Sequence, residues 1–485
     1  MSTQVDGAGD LTLRNRLAQT SLWTWTVVLF CACSAIATTR LQWDIHRGLG
    51  TSSYDVGLYD QGIWLLSRGH SPFVTLMGRN LFGDHSSFIL LLLVPLYWIF
   101  STTSLLFIVQ SIVVACGALP VYWFARQRLR SEPQAAVMAA VYLLHPSIGW
   151  TNLENFHPDA ALGTFVALAI WAAYAGKWRW YWVAVVLALS VKEDVAFVLI
   201  PLGLWIALKT DKKRGLITSA LSFATMAAMF LVVMRSFTGV VFRNSWRIPF
   251  GGIGGLVKTT FTQPGKLLTY LWSEDRPAYV WQMLAPMGFV FLYEPSLALV
   301  GFVMLASNVV STFWYQHSIH YHYSIIIVPC IVMGTVWALG KFSRPARRWA
   351  SACIVVSSLV CAYLWSPMPL ARTTTTHWNS QMAPVVAARE SISRVPDDAV
   401  VATYHSLTAQ MARRVTIYSF PNPFSRNLYG PDVFAGGDRL PGADEVEYVI
   451  LPLNLDEAAQ KVWDAEKDRF HVVDDNGWWV VYQRN

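Results

Sequence analysis

Residues 178–208 read WRWYWVAVVLALSVKEDVAFVLIPLGLWIAL, two apolar runs of about 14 residues parted by Lys192, Glu193 and Asp194. As helices each run reaches only about 21 Å of a hydrocarbon layer roughly 30 Å thick, so the three charges are expected beneath the membrane surface. Charges at that depth are costly and mark either a site or a pathway, or else a Lys–carboxylate pair that pins two short helices together. The rest of the chain fits a membrane setting. Of 485 residues 54% are hydrophobic and 14% charged, with 23 Trp and positive mean hydropathy, far from the quarter-charged composition of soluble domains.

Working outward, apolar runs suggest eleven spans, at about 22–38, 105–125, 135–150, 160–176, 178–191, 195–208, 215–234, 279–293, 295–314, 324–340 and 350–365. The first follows about twenty polar residues with no small-residue cleavage site, so it reads as a retained helix. The net charge of +7 does not point to nucleic acid, because residues 1–366 hold 26 Lys+Arg against 15 Asp+Glu while residues 367–485 hold 11 against 15. The basic excess sits in loops that orient the spans, with Arg126, Lys177, Lys212 and Arg347 inside. The amino terminus is therefore expected in the cytoplasm and residues 367–485 outside a bacterial plasma membrane. The apolar stretch Phe88–Phe100 is too short to cross and reads as an interfacial helix in a large external loop, about 40–104.

The fold expected is thus mainly α, a polytopic body over 1–366 followed by a small α/β domain over 367–485. In that tail a helical stretch near 382–394, strands at AVVATY, VTIYSF and EYVILP, the amphipathic DEAAQKVWDAEKD and a closing hairpin around Asp-Asn-Gly can be read directly. Its role is a lid, an acceptor-binding module or a stabilising cap. All six Cys fall in apolar segments and read as small buried hydrophobes.

Ten of the fifteen acids before residue 367 fall on the outer side: Asp44, Asp55, Asp60, Asp84, Glu154, Asp159, Glu193, Asp194, Glu274 and Asp275. In SYDVGLYDQG (53–62) the two Asp are five residues apart, about 140° on a helix, so Asp55 and Asp60 are expected to do different jobs. Asp84 and His85 precede the interfacial helix. Glu154, His157 and Asp159 share the short loop ENFHPDA, and WYQHSIHYHY brings His317, His320 and His322 among aromatics. The His spacing matches no metal-site pattern, so these read as aromatic-belt residues, and no metal or other cofactor is expected. GGIGG (251–255) lacks a phosphate-loop context and reads as a flexible external segment.

No nucleotide-binding loop, zinc-protease helix or nucleophile elbow is present. An enzyme acting outside the membrane needs a donor already activated in it, and a lipid-phosphate-linked sugar meets that need. The protein then supplies a base for the acceptor hydroxyl and positive charge for the departing phosphate, for which Lys192, Arg243, Arg247 and Arg276 are candidates. A transporter or lipid flippase using Lys192, Glu193 and Asp194 is the alternative, and a scaffold displaying the tail is a third.

YDVGLYDQGIW, NLFGDHSSFILLLLVPLYWIF, NFHPDA and VKED, in that order, together resemble a bacterial membrane-protein family of unknown function grouped with the GT-C glycosyltransferases. The resemblance covers about residues 40–365 and weakens in the tail. It implies transfer of a sugar from a polyprenyl-phosphate donor to a cell-envelope glycan, lipid or protein, with inversion. It places Asp55 as the base with Tyr59 orienting it, and Asp60 as the alternative base. From their charge and position, Lys192, Glu193, Asp194, Arg243, Arg247 and Tyr59 are expected at the donor, and Asp84, His85, Glu154, His157, Asp159, His320 and His322 at the acceptor or in the pocket. The first loop lacks the adjacent Asp-Glu or Asp-Asp pair of some superfamily members, which weighs against a metal-dependent variant.

Overall fold

The computed structural model describes residues 20–372, 379–428 and 438–485; the polar lead before the first span lies outside them. Among the described residues five helices are by themselves long and apolar enough to cross a membrane: Leu22–Arg47, Thr103–Leu129, Lys212–Thr238, His322–Leu339 and Arg344–Trp365. They match five of the eleven expected spans. The other six are shorter or interrupted: 135–150 resolves into Glu132–Leu144 and Pro146–Glu154, and 279–293 into a helix Arg276–Leu284 followed by two 3-10 turns.

Sequence composition explains how these helices sort. His322–Leu339 is 94% buried over its apolar window and forms the centre of the body, whereas Lys212–Thr238 and Leu22–Arg47 are 11% and 17% buried and turn Leu29, Ile36, Phe223 and Val232 outward. Apolar faces of this extent on peripheral helices mark a membrane or protein interface. Two of the Cys, Cys33 and Cys353, also lie exposed on such faces instead of buried, and among the described residues all six are free thiols.

The hairpin of Ala196–Lys209 and Lys212–Ala228 is closed by small residues. A Cβ on Gly203 would stand 2.6 Å from the Gly215 carbonyl oxygen, and one on Gly215 would strike the backbone of Gly203 and Ala207. Small residues let helix backbones approach where lipid offers no hydrophobic drive. Gly215→Ala is therefore expected to destabilise the protein by about 1–3 kcal/mol, the usual cost of overpacking, read as a lowered unfolding midpoint in detergent. An unchanged midpoint would mean that the crossing relaxes freely.

Two local expectations are corrected. The Phe88–Phe100 stretch is not one helix: a 3-10 turn Phe88–Leu92 precedes a short helix Val94–Ile99, because Pro95 must sit in a first turn. Its exposed Leu92, Trp98, Ile99 and Phe100 still form an apolar face. GGIGG is not a flexible segment but a helix start. Gly251 and Gly252 take left-handed φ of 86° and 95°, a conformation glycine adopts freely, and the helix Ile253–Thr262 begins at once.

In the tail the expected elements form a five-stranded sheet. With β1 (Phe73–Val74) and β2 (Arg79–Asn80) as a small hairpin in the first loop, the tail strands are β3 (Val401–Thr403), β4 (Ile417–Ser419), β5 (Tyr448–Pro452), β6 (Phe470–Asp475) and β7 (Trp479–Arg484), in the order β4-β3-β5-β7-β6. β3 runs parallel to β4 and β5, and β7 antiparallel to β5 and β6. Helices Ala383–Ser393 and Glu457–Glu466 complete it. The sheet shares one core with the first loop: Val56, Ile63, Leu76 and Tyr97 pack with Val401, Leu407, Ile417 and Val481. Polar contacts reinforce that seam. Gln61 donates to the Val415 carbonyl at 3.2 Å, Thr75 to the Ile417 carbonyl at 2.7 Å and Tyr54 to the Asn427 carbonyl at 3.0 Å.

Candidate active site

A cavity of about 540 Å³ opens where the first loop meets the body. Asp55 lines it from a single wide helical turn, Ser53–Gly57, that starts about six residues after the first helix ends. Its carboxylate is held on both oxygens: Asn155 Nδ2 donates to Oδ2 at 3.2 Å, and His157 Nε2 lies 3.3 Å from Oδ1. The loop bearing Asn155 and His157 is itself positioned by Gln110, whose amide donates to the Asn155 carbonyl and accepts from the His157 N–H, both at 2.8 Å. Burial raises the Asp55 carboxyl, but the neighbouring His157, its hydrogen bond, His322 and Asn155 outweigh this and keep it below the usual carboxylate range. His157 in turn is lowered by burial but raised more strongly by Asp55, to about 9.

Asp60 is elsewhere, and its place as an alternative base is corrected. It is fully buried, accepting from Tyr97 at 2.8 Å and Thr103 at 2.6 Å, with Arg413 of the tail at 3.9 Å. Burial raises its carboxyl in spite of Arg413, Thr103 and Tyr97. The five-residue spacing accounts for the separation, as one Asp looks into the cavity and the other fastens the first loop to the tail.

The remaining lining divides into a charged side and an aromatic side. Asp84 accepts from Arg79 at 2.9 Å and from Arg243 at 2.6 Å, and Arg79, Asp84, His85 and Arg247 all reach the cavity. Three arginines, Arg79, Arg243 and Arg247, thus surround one carboxylate on that ledge. Arg247 also lies over the Phe313 ring at 4.2 Å. On the aromatic side stand Trp150, Phe313, Tyr315, Tyr321 and Tyr323, with His320 edge-on to Trp150. Tyr59 lines the cavity too, its ring edge-on to His157 at 5.6 Å instead of bonded to Asp55.

Lys192, Glu193, Asp194 and Arg243 form a layer behind the lining. Lys192 is buried, donating to Asp159 at 3.0 Å with Asp194 at 3.7 Å. Glu193 binds His85 Nδ1 at 2.8 Å and accepts from the Ser86 N–H at 3.2 Å. Glu154, His157, Asp159 and His322 reach the cavity themselves. Arg276 is not part of the site, since it is engaged by Glu274, Tyr270 and the carbonyls of Val309 and Ser311, with His317 also beside Glu274. Sequence reasoning missed Arg79, Asn155 and Gln110. Asn155 was within reach, lying inside NFHPDA, whereas nothing about Gln110 in an apolar span announces its partner loop.

The Asp84 ledge yields a pH prediction. Burial raises this carboxyl, but His85, Arg79, Arg243 and Arg247 pull it down from 3.8 to about 2. A depressed folded value means stability that is present above about 3.8 and lost as pH falls through about 2. Asp84→Asn, less stable than wild type near neutrality, should lose less between those values, and parallel unfolding midpoints for the two proteins would contradict this.

The fold has counterparts among solved structures. ArnT from Cupriavidus metallidurans bound to undecaprenyl phosphate superposes with a TM-score of 0.54 at 13% identity, over 95% of this chain and 98% of that one. The apo state of the same protein gives 0.52 over the same shares. At such identity the likeness carries the fold alone. Residues 45–485 match the family described as predicted membrane protein (DUF2079), and the chain belongs to it. No curated protein matches the sequence.

Proposed function

We propose that this protein transfers a sugar from a polyprenyl-phosphate carrier to an acceptor hydroxyl in the cell envelope, with Asp55 as general base. The observation that carries the reading is the Asp55 carboxylate, bonded by Asn155 and His157, at the edge of a cavity that Arg79 and Arg247 also line. In the reaction the acceptor O–H gives its proton to Asp55 and its oxygen bonds to the anomeric carbon from the face opposite the phosphate. The carbon–oxygen bond to phosphate breaks, and the lipid phosphate departs toward Arg79 and Arg247. Inversion follows from a single displacement. The GT-C-like fold and the undecaprenyl phosphate bound by ArnT support a lipid-phosphate donor.

The reading places the cavity and the tail outside the membrane, as the loop charges suggest. It treats the shared core of tail and first loop as the support that fixes Asp55. A transporter built on the recessed triad has less behind it, because Lys192 and Glu193 are each paired side chain to side chain and face no open path. The test is to incubate purified protein with a panel of polyprenyl-phosphate sugars and acceptors and to measure released polyprenyl phosphate. Release with at least one donor is expected; none across the panel would reject the reading.

A further inference from the structure

Beside Asp55 the cavity holds three side chains whose arrangement the hydroxyl chemistry leaves unused. Glu154 ends the helix Pro146–Glu154, His157 follows in the loop and His322 opens the turn before the central helix. One ligand atom from each lies within 4.8 Å of the others. Both His are buried, 8% and 6% exposed, and all three residues line the cavity, which gives an ion a way in. The two imidazoles stack with centroids 3.7 Å apart, a spacing at which two imidazolium charges would repel strongly. Glu154 already turns its carboxylate to His322, with Oε2 3.2 Å from Nδ1.

A second observation is independent of the clustering. Among the described residues His157 Nδ1 is buried without a hydrogen-bond partner, while Nε2 of the same ring is held by Asp55. A ring with one nitrogen on a carboxylate and the other unsatisfied is the usual state of a metal-binding histidine, whose outer carboxylate sets the tautomer and orients the ring.

We propose that Glu154, His157 and His322 form a binding site for one divalent transition-metal cation of the zinc class, with Asp55 as its outer-shell carboxylate. Two imidazole nitrogens and one carboxylate oxygen suit zinc, and the cavity side leaves a further position for water or ligand. Magnesium and calcium, which favour all-oxygen shells, do not fit this donor set. The site departs from the expectation of a metal-free protein, and it is found only in three dimensions, since His322 is far from NFHPDA in sequence. It does not rest on sugar transfer, so its test reads metal alone.

The full-length protein, purified in detergent and stripped with a chelator, is titrated with Co²⁺ and followed by visible d–d absorption, then challenged with Zn²⁺. Stoichiometric uptake with a four- or five-coordinate spectrum, displaced by Zn²⁺, is expected. Glu154→Gln and His322→Ala should each weaken Co²⁺ binding at least about 100-fold, and Asp55→Asn by roughly 10–100-fold through loss of the outer carboxylate. Substoichiometric uptake by the wild type, or a six-coordinate aquo-like spectrum, overturns the proposal even if no variant folds. So does binding that the Glu154→Gln, His322→Ala double variant leaves undiminished.

Discussion

Asp55→Asn is expected to lower the rate of sugar transfer by about 10²–10⁴-fold while the protein inserts and folds as wild type, because an amide cannot take the acceptor proton. The geometry lets the fold survive this substitution. Asn can keep an acceptor oxygen toward Asn155 Nδ2 or His157 Nε2, now at 3.2 and 3.3 Å from the carboxylate, so the surrounding loop keeps a partner. Asp60→Asn supplies the contrast. It disturbs contacts with Tyr97 and Thr103, so its effect should fall on stability and leave the rate per folded molecule near wild type. Both are read by turnover normalised to folded protein. Wild-type turnover by Asp55→Asn would remove it as the base.

Lys192→Met is expected to destabilise the protein by about 3–5 kcal/mol, the second large effect. Lys192 is buried between Asp159 and Asp194 and sits over the Tyr323 ring at 5.1 Å. Burial disfavours its charged form, but Asp159 and Asp194 raise its pKa above the usual lysine value, so it stays an ammonium. Removing one partner of a buried pair strands the other charge, which is what makes the loss large. Adding Asp159→Asn should therefore restore a substantial part of the lost stability. Unfolding midpoints of the single and double variants measure this, and a single variant within about 0.5 kcal/mol of wild type would show that water reaches and screens these charges. Lys192 meets the cavity lining at Asp159 and at the Tyr323 ring.

Much of this was legible in the chain. Apolar length located the long helices, alternation and the Asp-Asn-Gly turn located the tail strands, and the short runs around Lys192 foretold a buried charge cluster. The site residues were legible as motifs, since NFHPDA and NLFGDH each placed their acids and imidazoles in the cavity or directly behind it. What the sequence withheld was pairing. Composition cannot say that Lys192 pairs with Asp159, nor that Asp60 is met by Tyr97, Thr103 and Arg413 from three separate segments. It also overestimated continuity: 279–293 and 295–314 are apolar enough to cross, yet Gly288 takes a left-handed φ of 54° and the two stretches fold into short helices and 3-10 turns.

The central claim is that a lipid phosphate comes to rest in the cavity beside Asp55. Electron cryo-microscopy of the protein in nanodiscs with a polyprenyl phosphate tests it most directly. Phosphate density against Arg79 and Arg247, within reach of the Asp55 carboxylate, is the predicted result. Density held elsewhere on the protein, with the cavity closed to the lipid, would contradict it.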